Sequence, residues 1–317
     1  MTTAQTESAS RGISRREALT LMLGTGLGLA ARGLPAAGPD VGGQLLREIP
    51  RSGEQIPALG LGSSDTFEVG ATDKARAPVR AVLARYAELG GRVVDTSPMY
   101  GTAESVIGDL AQALGIQSKL WLATKVWTQG LESGIAQMED SFRRLRTDRI
   151  DLMQVHNLVD TQTHLRTLRD WKEQGRIRYL GVTHYRTDAY DEIARLIRNE
   201  SLDFVQFNYS IATREAERML LPLAAAQRTA VLINRPYEDG RLFARVRGKP
   251  LPEWAAELDC ASWGQLFLKY VISHPAVTCV IPATSKRKHL EDNMGAGRGR
   301  LPDEAGRARM VTYFESL

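Results

Sequence analysis

The chain has 317 residues, with 41 Lys+Arg against 37 Asp+Glu, 43% hydrophobic and 25% charged residues. Those proportions exclude a disordered, collagen-like or multispan membrane protein and describe a soluble globular one. The length admits two ordinary domains, or one α/β barrel of about 250 residues with an extension. Acidic and basic residues are interspersed, so the sequence pI of 9.1 does not call for a nucleic-acid partner. The cluster Arg143, Arg144, Arg146 and Arg149 reads as a solvated helix end.

Residues 1–37 read as an export leader and not as part of the fold. Ser14, Arg15 and Arg16 precede a mildly apolar run over 19–31, which is followed by Arg32 and then by Leu34, Pro35, Ala36 and Ala37. That run is too short for a bilayer span, which needs roughly 20 apolar residues, but it suits the h-region of a signal peptide. The paired arginines resemble a twin-arginine signal, with Ala18 where a large apolar residue is commoner. The resemblance implies that the export machinery carries an already folded protein to the periplasm, with no stable membrane anchor. Gly24, Gly26 and Gly28 mimic part of a dinucleotide-binding motif, but no strand precedes them. Cleavage near Ala37 removes Arg11, Arg15, Arg16 and Arg32 with Glu7 and Glu17, so the formal charge falls from +4 to +2. One domain then remains, over 38–317.

That domain opens with a short hairpin, 45–50 and 56–60, around Ser52 and Gly53. Strand-length apolar runs follow at 58–63, 92–97, 120–126, 150–157, 177–184, 204–210, 231–236 and 277–283, and amphipathic helical windows lie between them. Pro78 suits the first position of the first helix, whose apolar face is Val79, Val82, Leu83 and Tyr86 and whose stop is Gly90 and Gly91. Val106, Ile107, Leu110 and Leu114 make the next face, closed by Gly115. Eight uniformly apolar strands alternating with helices predict parallel pairing and a (β/α)8 barrel; a doubly wound open sheet is the rival. Cys260 and Cys279 lie 19 residues apart, outside any metal-ligand pattern, and read as two packed thiols.

Polar residues recur at the C-terminal ends of the apolar runs: Asp95, Lys125, His156, His184, Asn208, then Asn234 and Arg235. The intervals from Asp95 to Lys125, to His156 and to His184 are 30, 31 and 28 residues. In a closed barrel those ends converge on the face that carries active sites. Lys125, at the end of a buried run, needs a carboxylate partner or a function, and Asp95 can supply the partner. By themselves these two could be a structural ion pair. Tyr100, five residues beyond Asp95, tips the balance towards chemistry. A phenol with an ordinary pKa of about 10 is a slow proton donor at neutral pH, and a neighbouring ammonium is expected to lower that value. His156 can hydrogen-bond a substrate oxygen. Together the four suit proton donation to a carbonyl that receives a hydride.

Several short motifs carry the same residues: Gly60, Leu61 and Gly62; Asp95, Thr96, Ser97, Tyr100 and Gly101; Ala123, Thr124 and Lys125; Gln154, Val155 and His156; and 281–285, Ile-Pro-Ala-Thr-Ser. In this order and spacing the chain resembles the aldo/keto reductases. The resemblance implies a monomeric (β/α)8 barrel that binds NADPH extended, without a Rossmann motif, and reduces an aldehyde or ketone to an alcohol. Tyr100 would be the general acid, Asp95 and Lys125 its tuning pair, and His156 the substrate-orienting residue. Cofactor contacts would come from Gly62 and Ser63, from Thr183, His184 and Gln206 around the nicotinamide, and from Asn234, Arg235 and Pro236. The adenosine phosphate would lie against Thr284, Ser285, Lys286, His289 and Asn293, with NADPH preferred over NADH. The long segment 237–259 would fold over the pyrophosphate. Trp127 and Ser64 would line the substrate pocket. Three departures stand out: Thr183 and His184 replace a serine and asparagine, Asn234 replaces a stacking tyrosine, and Ser64 replaces a tryptophan.

Two rivals share these residues: a cofactor-binding sensor or partner protein with little turnover, suggested by Asn234, Arg235 and Ser64, and a Schiff-base aldolase using Lys125.

Overall fold

The computed structural model describes residues 43–317; the leader expected over 1–37 lies outside them. In chain order the elements are β1 (Leu46–Glu48), β2 (Gln55–Pro57), β3 (Leu61–Gly62), α1 (Asp73–Glu88), β4 (Val93–Asp95), α2 (Ala103–Ala113), β5 (Trp121–Val126) and α3 (Leu131–Leu145). Next come β6 (Ile150–His156), α4 (Thr161–Glu173), β7 (Ile177–Thr183), α5 (Tyr190–Asn199), β8 (Phe204–Asn208), α6 (Leu220–Ala226) and β9 (Ala230–Asn234). The chain ends with α7 (Arg241–Arg245), α8 (Trp263–Ile272), β10 (Cys279–Val280), α9 (Arg287–Gly295) and α10 (Glu304–Glu315). No described helix is long and apolar enough to cross a membrane.

Strands β3 to β10 form one parallel sheet in sequence order. The bridges Leu59–Val280 and Gly62–Ala283 bring its last strand back to its first, so the fold is the (β/α)8 barrel that strand–helix alternation implies, not an open sheet. Closure explains two glycines. A Cβ on Gly60 would lie 2.8 Å from Ile281 Cγ2, and one on Gly62 would lie 2.7 Å from the Ile281 carbonyl oxygen, so the seam closes only where a side chain is absent.

Side-chain alternation organises the interior. Val93, Trp121, Ala123, Leu152, Tyr179, Phe204, Ala230, Leu232, Cys279 and Ile281 point inward as one apolar cluster, and Ile49 and Ile56 of the β1–β2 hairpin join it from below. The hairpin therefore plugs the N-terminal end of the barrel. Continuing two residues at a time up each strand leads from these apolar layers to Asp95, Lys125, Gln154, His156, Thr183, Gln206 and Asn234, all on the inner face. The outward residues pack beneath the helices in a second, larger cluster.

Two expectations are refined. Helix α1 starts at Asp73, not at Pro78, because Thr72 accepts from the Ala75 N–H and caps the helix earlier. Pro78 sits inside the helix, where its missing N–H leaves a carbonyl one turn back without its usual bond. Segment 237–259 is not a bare loop but carries α7 and two short 3-10 turns. The arginine cluster ends α3 as anticipated, with Arg143 and Arg144 paired to Asp140 and Arg146 to Asp109. Both cysteines are free and buried.

Candidate active site

At the C-terminal mouth, Lys125 at the top of β5 is fully buried, and its Nζ donates to Asp95 Oδ2 and to the Thr96 carbonyl, both at 2.7 Å. Burial alone would depress its ammonium. Asp95 and Tyr100 outweigh that effect and hold its pKa above the ordinary lysine value. A lysine so held stays charged, which removes the nucleophilic amine that a Schiff-base aldolase requires.

Tyr100 follows in the β4–α2 loop, with the Lys125 ammonium 5.0 Å from its ring centroid. Here the structure corrects the expectation of a more acidic phenol: burial pushes the Tyr100 pKa up, and Lys125 pulls back only part of the rise. At neutral pH Tyr100 is protonated, the form a proton donor needs.

His156, at the end of β6, meets Tyr100 edge-on at 5.8 Å between ring centroids, and the Trp127 ring centroid lies 6.4 Å away. Its Nδ1 is 2.9 Å from Ser97 Oγ, which itself accepts from the Met99 N–H at 3.2 Å. In the tautomer in which the Ser97 hydroxyl donates to Nδ1, Nε2–H remains as a donor. Burial first, then the Lys125 and His184 charges, push the His156 pKa down to about 2. The imidazole is therefore neutral.

The expected rate profile of a reaction at this site is level from about pH 6 to 9, since His156 has lost its proton and Tyr100 has kept its own. A limb centred near 6.5 that vanished in His156→Gln would contradict this assignment.

A second group of predicted residues joins the first through hydrogen bonds. Gln206 Nε2 donates to Asp95 Oδ1 at 2.9 Å, and Gln206 Oε1 accepts from Thr183 Oγ1 at 2.8 Å and from Asn234 Nδ2 at 3.4 Å. Gln154 Nε2 reaches the same Asp95 oxygen at 3.5 Å. The other predicted contacts stand further apart. His184 stacks on Tyr185 and accepts the Arg186 N–H, beside a surface cavity of about 410 Å³ that Asn157 also lines. Arg235 pairs with Asp239 and lies over the Tyr185 ring, and Pro236 behind it is buried. Ser63 is buried and Ser64 partly exposed after β3. Beyond β10, Thr284 Oγ1 accepts the Lys286 N–H where α9 begins, Ser285 is half-buried, His289 is exposed in the first turn, and buried Asn293 accepts the Tyr237 hydroxyl at 2.7 Å.

Several groups escaped the sequence reading. Ser97 and Thr96 lay inside a recognised motif without an assigned task, and Gln154 was noted only as a motif member. The signal that would have found them is parity and adjacency: Gln154 lies two residues before His156 on the same face, and Ser97 two after Asp95.

Fold and geometry together describe a (β/α)8-barrel protein with a buried Asp95–Lys125 pair beside Tyr100 and His156 at the C-terminal mouth. The model of the aldo/keto reductase family matches residues 58–308, and the chain belongs to that family. It is 30% identical over 245 residues to the methylglyoxal reductase YeaE of Escherichia coli, covering 75% of this chain and 84% of that one. It is 26% identical over 291 residues to the uncharacterized oxidoreductase YqkF of Bacillus subtilis, covering 76% and 90%. Among solved structures it is similar to an aldo/keto reductase from Klebsiella pneumoniae in complex with NADP and acetate, at 25% identity and TM-score 0.71 over 84% of this chain and 95% of that one. It shares the fold of an aldo-keto reductase from Bacillus halodurans in its holo form, at 22% identity and TM-score 0.68 over 85% and 95%.

Proposed function

We propose that this chain reduces an aldehyde or ketone to the alcohol with NADPH as the reductant. The observation that carries the reading is the buried Asp95–Lys125 pair, with its ammonium over the Tyr100 ring and neutral His156 at the ring's edge.

The residues present fit the cofactor. Buried Ser63 Oγ, Asn157 Oδ1 and Asn234 Oδ1, at the ends of β3, β6 and β9, have no hydrogen-bond partner, and buried polar atoms of this kind call for one. At the start of α9, Lys286 and Lys288 have no acidic partner among the described residues, and both depress the His289 pKa after burial. A cationic helix N-terminus suits a 2′-phosphate. The Klebsiella pneumoniae relative was crystallised with NADP.

NADPH, when bound, would supply the hydride for the carbonyl carbon. Tyr100 would give its phenolic proton to the carbonyl oxygen, leaving a phenolate beside the Lys125 ammonium. His156 Nε2–H holds that oxygen at a fixed angle and stabilises the charge that develops on it. Asp95, tied to Gln206 and Gln154, keeps Lys125 charged and aimed.

The test is oxidation of NADPH, followed beside NADH, over a panel of aldehydes, ketones and quinones; no carbonyl-dependent turnover with intact NADPH binding would overturn the reading. That outcome would favour the sensor reading, which has its own support. Gln206, the residue expected to grip the nicotinamide amide, is engaged inward at both side-chain atoms. The leader motif supports export of the folded protein to the periplasm, checked by mapping the N-terminus in each cell fraction. Outside the cytoplasm a retained cofactor would have to serve, since NADPH has no obvious supply there.

A further inference from the structure

Trp127 stands two residues beyond Lys125 and beside His156, with 40% of its surface exposed. A large apolar side chain on a loop ordinarily costs solvent contact and is free to swing. This loop is instead pinned at four backbone atoms. From α3, Gln137 Oε1 accepts the Trp127 N–H at 2.5 Å and its Nε2 donates to the Trp127 carbonyl at 3.2 Å. From α4, His164 Nε2 donates to the Thr128 carbonyl at 2.8 Å. The Gly130 N–H donates to Asp160 Oδ2 at 2.8 Å.

The scaffold makes room for these ties. A Cβ on Gly134 would sit 2.4 Å from His164 Cε1, so α3 carries glycine where the imidazole passes. Asp160 adopts the left-handed conformation at φ 47°, uncommon for a residue with a side chain. The two-point clamp by Gln137 fixes the N–H and the carbonyl on either side of the Trp127 Cα and with them the direction of Cβ. The indole becomes a fixed wall beside His156. Arg186 pairs with Asp188 and Arg235 with Asp239.

Resting on the proposed carbonyl reduction, we infer that Gln137 is a positioning residue for specificity: by fixing Trp127 it selects carbonyl compounds with a flat apolar group, aryl aldehydes and ketones, over small aliphatic ones. A pre-oriented aromatic face gains the stacking energy without paying to order the loop at each binding event.

The test compares kcat and KM for NADPH-dependent reduction of 4-nitrobenzaldehyde and propanal. In Gln137→Leu the aryl-to-alkyl ratio of kcat/KM is expected to fall about five- to tenfold, through KM for the aryl substrate, with kcat nearly kept. In a Trp127→Leu background the same change should leave the ratio where Trp127→Leu alone puts it. Gln137→Glu keeps the acceptor and loses the donor, and gives a smaller loss; it serves if the leucine variant folds poorly. Equal losses on both substrates, or a further change in the ratio without Trp127, would overturn the inference. A wild-type protein that reduces neither aldehyde overturns carbonyl reduction itself, and reads as absent turnover, not as an unchanged ratio.

Discussion

Tyr100→Phe is expected to lower carbonyl-dependent NADPH oxidation by about 10²- to 10⁴-fold, the contribution of a positioned general acid, while NADPH affinity stays within a few-fold of wild type. The separation follows from the geometry. Phenylalanine keeps the ring that meets His156 edge-on and lies under the Lys125 ammonium, so packing and the cation–π contact survive. Only the hydroxyl is lost, and no other acid on the described residues stands in its place: His156 is held neutral and Lys125 is tied to Asp95 and to a carbonyl. Loss in kcat and kcat/KM alike would mark an interaction made in the transition state. Measured by cofactor absorbance and by fluorescence titration of NADPH, turnover within tenfold of wild type would remove Tyr100 from the acid's role.

The parts of this site legible in the sequence were those written in short-range pattern. Eight apolar runs became eight barrel strands because residues covered on both faces leave an unmistakable composition, and most of the site's polar residues stood out because six of the runs ended in one. Asp95, Lys125 and His156 are joined by strand register, a regular spacing of which the sequence carries the trace. What was not legible depends on contacts between distant segments. The start of α1 turned on one threonine hydroxyl, not on Pro78, which looked like the better marker. The direction of the Tyr100 pKa depends on how much protein surrounds it, and a list of neighbours supplied only the opposing pull of Lys125. Gln137 looked like any half-buried helix residue, since nothing local says that its amide meets a backbone ten residues earlier. Gln206 was read as a cofactor ligand, but its link to Asp95 spans 111 positions.

That link bears on the second large effect. Lys125→Met is expected to destabilise the barrel by about 3–5 kcal/mol, because it strands Asp95, which is only 3% exposed, without its counter-charge. For a domain of this size that is roughly a 10 °C fall in Tm. Asp95→Asn should cost less. It leaves Lys125 the Thr96 carbonyl and an amide oxygen, and an ammonium can surrender its proton when its partner goes. The informative variant is the double one. Asp95→Asn with Lys125→Met removes both charges, and the two glutamines that now donate to Asp95 Oδ1 can donate to an amide oxygen in the same place, so much of the stability lost in Lys125→Met should return. Activity should not return, because no cation then faces the phenolate that forms on Tyr100 as it gives up its proton. Thermal unfolding set beside the rate of NADPH oxidation separates the two. If the double variant recovered both, the pair would be a structural ion pair that happens to lie near a tyrosine; recovery of stability alone assigns Lys125 to the chemistry and makes its burial the cost of placing a charge there.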